Sequence, residues 1–250
     1  MPTSKLVFLV IVVFLTALVS VVTGSTSLIT VPVLIAVGVE PHVAVATNML
    51  ALVFLSVGGS LSFRGKGVIE RRLLPLAVIL TVIGSGAGAF LLLDIPARTL
   101  HVTIAVAMIV VAVFWLIRQD SQARQHPVSA ARQATGYTLT FALAVYGGLF
   151  SGGYVTMLTS VLVFFFGLTL LESVATTKVI NLFSSLVAAL IFARRGIVDY
   201  RLGATLGVVM FLGAIVGARV AVTIPTVWLR RVLVTAVVAL AANMLVAFFR

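Results

Sequence analysis

The amino-acid sequence predicts an all-α polytopic membrane protein built from two tandem repeats. Of its 250 residues, 62% are hydrophobic and 9% are charged, and its apolar runs exceed the roughly 18 residues that mark a membrane span. A gap-free offset of 129 positions carries residues of the first half onto identical residues of the second, as in Gly24 and Gly153, Gly84 and Gly213, and Pro96 and Pro225. This match indicates a duplication, and the composition excludes a soluble globular domain.

Each repeat contains four hydrophobic segments, which gives about eight spans in all. The first transmembrane repeat covers residues 1–118, a cytoplasmic linker covers 119–134, and the second transmembrane repeat covers 135–250. After the first segment of each repeat, the predicted spans run over residues 43–63, 73–93 and 100–117, and over 173–192, 202–222 and 229–249. Small residues four positions apart in two of these spans, Gly84 with Gly88 and Gly213 with Gly217, predict close helix packing.

The first segment of each repeat is too long to be one continuous span. Between Lys5 and Glu40 lie 34 residues without an ionisable side chain, which as a helix would be roughly 50 Å long against a hydrocarbon core of about 30 Å. Small and polar residues interrupt this run at 23–27, and glycines interrupt the corresponding run at 147–153. Both first segments are therefore predicted to be broken near these stretches.

The basic loops predict the orientation of the spans. Arginine and lysine concentrate at 64–72, in the central linker and at 194–201, and such loops favour the cytoplasmic face. If each broken segment crosses once, all three loops and both termini are cytoplasmic and the repeats are parallel, which is the preferred arrangement. If the broken segments are re-entrant hairpins, the repeats are inverted.

The broken segments also predict a binding site, because unwound backbone at membrane depth must line a cavity or be buried in protein. Half-helix N-termini of this kind present N–H groups and the positive end of a helix dipole to an anion. A close helix crossing without a ligand is the alternative. The predicted donors are the backbone and hydroxyl groups of Gly24, Ser25, Thr26, Ser27, Ser151, Gly152, Gly153 and Tyr154.

A second polar cluster opens the next span of each repeat and joins the predicted substrate site. Its members are Thr47 and Asn48 in the first repeat and Thr176, Thr177, Lys178 and Asn181 in the second. Lys178 lies about six residues inside its span, where a charge is costly. It is expected either to serve as a counter-charge or proton-coupled group, or to reach the interface along its aliphatic stem.

Several other classes of function are excluded. The chain has no cysteine and three scattered histidines, so no metal site and no cofactor are predicted. The apolar spans hold no paired carboxylates and no Ser-His-Asp set, which argues against an enzyme. The excess of 17 basic over 6 acidic residues fits membrane orientation and not nucleic-acid binding. The oligomeric state is left open.

The two broken helices, Pro32, the Ala46-Thr47-Asn48 and Ala175-Thr176-Thr177 openings, and the loop 67–70 together resemble the sulfite exporter TauE/SafE family. The resemblance implies a multi-pass carrier in the bacterial inner membrane for a small sulfur-containing anion such as sulfite or an organosulfonate like sulfoacetate. Alternating access, with coupling to protons or sodium, is the expected mechanism. A passive anion channel, or a carrier of another small organic anion, is the alternative.

Overall fold

A computed structural model describes residues 3–24, 26–117, 128–220, 235 and 237–242, and all regular structure within these residues is helical. The helices are α1 (Thr3–Thr23), α2 (Ser27–Ala36), α3 (Pro41–Phe63), α4 (Leu74–Asp94), α5 (Ala97–Ile117), α6 (Ala130–Leu149), α7 (Tyr154–Phe166), α8 (Leu170–Arg194) and α9 (Tyr200–Val220).

Six of these helices, α1, α3, α4, α5, α8 and α9, are long and apolar enough to cross a membrane by length and composition, whereas α2 and α7 are shorter apolar helices. The all-helical architecture is as predicted, and these six helices are the candidate membrane spans. Five of the predicted spans correspond to α3, α4, α5, α8 and α9. The sixth, at 229–249, lies largely outside the described residues, as does most of the linker 119–134.

Both predicted breaks are present, and each one turns the chain back. Lys5, near the start of α1, donates a hydrogen bond from Nζ to the carbonyl of Val37, just beyond the end of α2, at 2.9 Å. In the second repeat, the rings of Tyr137 in α6 and Phe166 at the end of α7 pack edge to face with centroids 4.9 Å apart. Each helix pair therefore forms a hairpin. The preferred prediction that a broken segment makes one net crossing is wrong.

The two repeats run in opposite directions at their central contact. The amide of Asp199, which follows α8, donates to Thr47 Oγ1 near the start of α3 at 3.1 Å. The amide of Glu70, which follows α3, donates to Thr176 Oγ1 near the start of α8 at 3.0 Å. Each helix thus begins where the other ends, so α3 and α8 are antiparallel.

This antiparallel contact corrects the predicted parallel repeats in favour of the inverted alternative. It also places the basic loops 64–72 and 194–201 at opposite ends of the bundle, so the prediction that all three basic loops share one face is wrong. Gly167 packs against Val128, with a built Cβ lying 3.1 Å from Val128 Cγ2. The end of the linker therefore lies at the end that carries 64–72, and α1 begins at the other end.

The repeats are interleaved, because the predicted glycine positions let helices of different repeats approach closely. A Cβ built on Gly84 of α4 would lie 2.8 Å from Ala144 Cβ of α6, and one built on Gly213 of α9 would lie 2.8 Å from Ala17 Cβ of α1. The helix α4 of the first repeat packs on α6 and α8 of the second, and α9 packs on α1 and α3. The packing role predicted for these glycines is confirmed.

Candidate functional site

The turns of the two hairpins touch each other inside the bundle. A Cβ built on Gly24 would lie 2.6 Å from Val155 Cγ1, and one built on Gly152 would lie 2.9 Å from Leu28 Cδ2. Gly24 and its repeat partner Gly153 both have positive φ, +72° and +77°, a conformation that glycine adopts without steric cost. Glycine at 24 and 153 therefore permits the two turns, and the absence of a side chain at Gly24 and Gly152 permits the contact between them.

The half-helices that leave these turns start without a side-chain cap. Among the described residues, the side chain of Thr26, before α2, makes no capping hydrogen bond, and Gly153, before α7, has no side chain to make one. By contrast, the side chains of Glu40 and Thr169 cap α3 and α8. Two uncapped helix N-termini beside each other give this region a positive potential.

In the first repeat, a buried polar network ties the half-helix α2 to α3. Thr30 Oγ1 donates to Asn48 Oδ1 at 2.6 Å, and Asn48 Nδ2 donates to Ser27 Oγ at 2.9 Å. All three side chains are at most 2% exposed. The sequence-predicted residues Ser27 and Asn48 are thus brought together, and Thr30 is a member that the sequence prediction missed.

The second repeat contains the corresponding contact between α7 and α8. Thr159 Oγ1 donates to Thr177 Oγ1 at 3.4 Å, and these residues are the repeat partners of Thr30 and Asn48. Tyr154 is fully buried, and its hydroxyl lies near the side chains of Thr81 and Ser184. The two half-helices are therefore anchored at equivalent positions but with different side chains.

Thr47 and Thr176, two of the predicted substrate-binding residues, bond to loops of the opposite repeat. Both hydroxyls are fully buried and accept the backbone N–H groups described above, from Asp199 and Glu70. The four residues are related pairwise by the offset of 129. In this conformation the two threonines join the repeats.

Lys178 is the cation at the centre of the site. Its side chain is 1% exposed, and its Nζ donates to the carbonyl of Ser20, in the last turn of α1, at 3.1 Å. Gly59 leaves room for its stem, since a Cβ built there would lie 3.2 Å from Lys178 Cδ. Within the described residues no carboxylate pairs with this ammonium.

A buried amine without a carboxylate partner is costly, so this arrangement favours an anion nearby. An ammonium has three N–H donors, and among the described residues Ser20 takes the one hydrogen bond that it makes. The alternative expectation that Lys178 reaches the membrane interface is wrong, because the side chain is directed to the hairpin turn of α1.

Three serines that contact or belong to α8, namely Ser56, Ser85 and Ser184, were not identified from the sequence as part of the site. Asn181 Nδ2 donates to Ser56 Oγ at 2.7 Å, and Ser85 and Ser184 share a 2.7 Å hydrogen bond between α4 and α8. Isolated serines in apolar helices give little signal by themselves. Their spacing on one helix face, Ser56 and Ser60 on α3, was the available indication.

The remaining predicted residues lie at the hairpin turns. Thr26 and Ser151 are buried, and Ser151 has a positive φ of 54°. The carbonyl of Gly152 accepts a hydrogen bond from the hydroxyl of Tyr146. Ser25 lies outside the described residues. Among the described residues, no group of three or more acidic, histidine or cysteine side chains is placed to hold a metal ion.

Comparison with known proteins finds a family of membrane transporters and relatives that are named as probable membrane transporter proteins. The family model described as sulfite exporter TauE/SafE matches residues 9–244. Similar proteins include the "Probable membrane transporter protein ORF9" of Sinorhizobium sp, 27% identical over 96% of this chain and 92% of that protein. The "Probable membrane transporter protein YfcA" of Escherichia coli K12 is 27% identical over 79% of this chain and 74% of its own.

The "Probable membrane transporter protein YdhB" of Bacillus subtilis is 28% identical, over 76% of this chain and 78% of its own length. No solved structure matches the chain. The family match covers nearly the whole sequence, from α1 to beyond α9, and includes both broken hairpins. This chain therefore belongs to the sulfite exporter TauE/SafE family.

Proposed function

We propose that this protein is a secondary transporter that moves a small sulfur-containing anion, sulfite or an organosulfonate such as sulfoacetate, across the inner membrane of a bacterium. The observation that carries the proposal is Lys178, a buried ammonium beside the turn of one hairpin and without a carboxylate partner among the described residues. A negative solute at this position would supply the missing counter-charge.

The inverted arrangement of α3 and α8 supports alternating access as the mechanism. In transporters with inverted repeats, the two halves exchange conformations, so a site between them opens first to one face and then to the other. Here the hairpin turns meet between the halves, and equivalent hydrogen bonds at Thr47 and Thr176 join the halves at both ends. Movement of one half against the other would alter both of these hydrogen bonds.

The charge distribution supports a proposed orientation of this transporter in the membrane. The loop 64–72 and the described end of the central linker lie at one end of the bundle. Together, this loop and the linker carry more basic residues in the sequence than the loop 194–201 at the other end. The positive-inside tendency assigns that first end to the cytoplasm. The start of α1 then faces the opposite side, in place of the expected cytoplasmic location of both termini.

Coupling to a proton or sodium gradient completes the proposal. The sequence contains no phosphate-binding loop of the Gly-x-x-x-x-Gly-Lys-Ser/Thr type, so the energy for uphill transport would come from an ion gradient. Lys178, which is buried and basic, is the residue through which a proton would be coupled.

Flux into liposomes that contain the purified protein tests the proposed function. Saturable uptake of sulfite or sulfoacetate that responds to an imposed pH or sodium gradient is expected for the wild type. Flux that does not saturate, or single-channel current, would instead indicate a passive channel. Absence of flux for sulfite, sulfoacetate, thiosulfate and small carboxylates alike would refute transport of this class of anion.

A further inference from the structure

The contact between α3 and α8 contains two sets of residues that the offset of 129 relates to each other. One set is polar and the other is largely apolar. Ser56, Ser60, Lys178 and Asn181 form the polar set, which we call the polar pole. The offset of 129 assigns each of them a repeat partner, and these are respectively Ser185, Ala189, Met49 and Leu52. Three of the four partners are apolar, and all four are buried.

Duplication would have produced the same residues in both halves, so this difference has arisen since. Met49 and Leu52 show that an apolar side chain packs well at these positions, since they are 0% and 3% exposed. Lysine and asparagine in the same places bury polar groups, which costs stability unless they are hydrogen-bonded. A requirement of packing therefore does not explain the polar pole.

The polar pole also has unused hydrogen-bonding capacity. Among the described residues, the buried atoms Asn181 Oδ1 and Ser60 Oγ have no hydrogen-bond partner. Asn181 and Lys178 are 1% exposed and Ser56 is fully buried. Rotation of the Asn181 amide by 180° lets the Ser56 hydroxyl donate to Oδ1, and it directs the amide NH₂ group to the opposite side as a donor.

These donors match the oxygens of an oxyanion. Lys178 supplies charged N–H groups, Asn181 supplies an amide, and Ser60 supplies a hydroxyl, and each can donate to a sulfonate or sulfite oxygen. The two α8 residues are three positions apart, so they lie on the same helix face. On α3, Ser56 contacts Asn181, and Ser60 lies one turn further along the same face of the helix.

We propose that the polar pole is the subsite for the oxygen-bearing head group of the substrate, and that it takes a head group with one negative charge. The proposal rests on the transport function above and adds to it the residues and the charge state. The single ammonium of Lys178 balances one negative charge, and a second negative charge on the head group would be buried without a partner. A sulfonate or hydrogen sulfite fits this requirement better than sulfate.

Binding of methanesulfonate and sulfate to the purified protein in nanodiscs, measured by calorimetry, tests the charge preference. Both probes present a tetrahedral sulfur with oxygens, but they carry one and two charges. Methanesulfonate is expected to bind about ten-fold more tightly or better. Equal affinity for the two probes, or a preference for sulfate, would overturn the assignment of charge.

The repeat partners of the polar-pole residues provide matched variants, because a substitution can copy the side chain found at the equivalent position. Asn181→Leu copies Leu52 and is expected to weaken methanesulfonate binding about ten-fold, because it removes a hydrogen bond to a charged group. Leu52→Asn, the reciprocal change, is expected to leave the affinity within about two-fold. Ser56→Ala provides a second test that does not depend on the folding of Asn181→Leu, since it removes the partner that orients the Asn181 amide.

The outcomes separate this inference from the proposed function. Wild-type affinity in folded Asn181→Leu and Ser56→Ala proteins, together with saturable transport by the wild type, would overturn the polar pole and leave the transporter intact. No saturable binding or flux of any tested anion by the wild type would refute both. Melting temperatures of all variants show which proteins are folded.

Discussion

Replacement of Lys178 by methionine separates a functional role for this residue from a structural one. The repeat partner of Lys178 is Met49, which is fully buried, so methionine is a side chain that the fold already accommodates at the equivalent position. The substitution removes one hydrogen bond, to the carbonyl of Ser20 at 3.1 Å, and one buried charge without a carboxylate partner among the described residues.

The two roles predict changes of opposite sign in stability. Replacing a buried ion pair with apolar side chains of similar volume is often neutral or stabilising by about 1–4 kcal/mol. The Lys178 charge has no carboxylate partner among the described residues to offset its burial. That range already includes the hydrogen bonds lost with the ions, so the bond from Lys178 to Ser20 is not a separate cost. We therefore expect Lys178→Met to melt at or above the wild-type temperature in detergent without substrate, and to lose at least ten-fold in affinity for methanesulfonate or sulfite.

The assay combines thermal melting with calorimetric titration of the anion. Lys66→Met, in an exposed loop, removes the same charge elsewhere and is expected to keep wild-type affinity. The reasoning is refuted if Lys178→Met melts well below the wild type while binding the anion normally, because Lys178 would then serve the fold alone.

Three further predictions concern the architecture. Thr47→Val and Thr176→Val each leave a loop N–H of the opposite repeat without its acceptor, so each should lower the free energy of unfolding by about 1–3 kcal/mol. Thermal or denaturant unfolding measures this loss. Wild-type stability of both variants would contradict a stabilising role for these hydrogen bonds between the repeats. Gly24→Ala introduces both strain at φ +72° and a contact of 2.6 Å, whereas Gly67→Ala at φ +67° meets nothing within 4 Å. The Gly24 variant should therefore lose about 1–2 kcal/mol from strain plus an added loss from the clash, and equal losses would exclude crowding at the hairpin turns. Burial raises the pKa of Glu40, but hydrogen bonds from His42 and the amide of Val43 outweigh it and bring the pKa below 4.5. The charged carboxylate should hence stabilise α3 by a few tenths to about 1 kcal/mol above pH 4.5, and this contribution is lost as the pH falls through the lowered pKa of Glu40. The difference in melting temperature between the wild type and Glu40→Gln should therefore vanish in acid. A difference that persists in acid would contradict the capping role of the Glu40 carboxylate.

The sequence contained enough information to predict the class of protein and the position of its breaks. Apolar composition, the lengths of the runs and the glycines at 24 and 153 are local properties, and the helices end where those properties predict. Residues paired by the offset of 129 make corresponding hydrogen bonds, from Asp199 to Thr47 and from Glu70 to Thr176. The candidate site was predicted in part, because repeated Ala-Thr positions and Lys178 stand out in an apolar sequence.

The orientation of the repeats was decided only by the tertiary structure. A duplicated sequence keeps its basic loop in both copies, so charge favours the same face for 64–72 and 194–201, although the folded chain places these loops at opposite ends. The packing of α3 against α8 joins residues more than a hundred positions apart, such as Glu70 and Thr176. The register of α3 against α8 determines which serine or asparagine contacts which partner, and this register cannot be read from the sequence pattern of either helix.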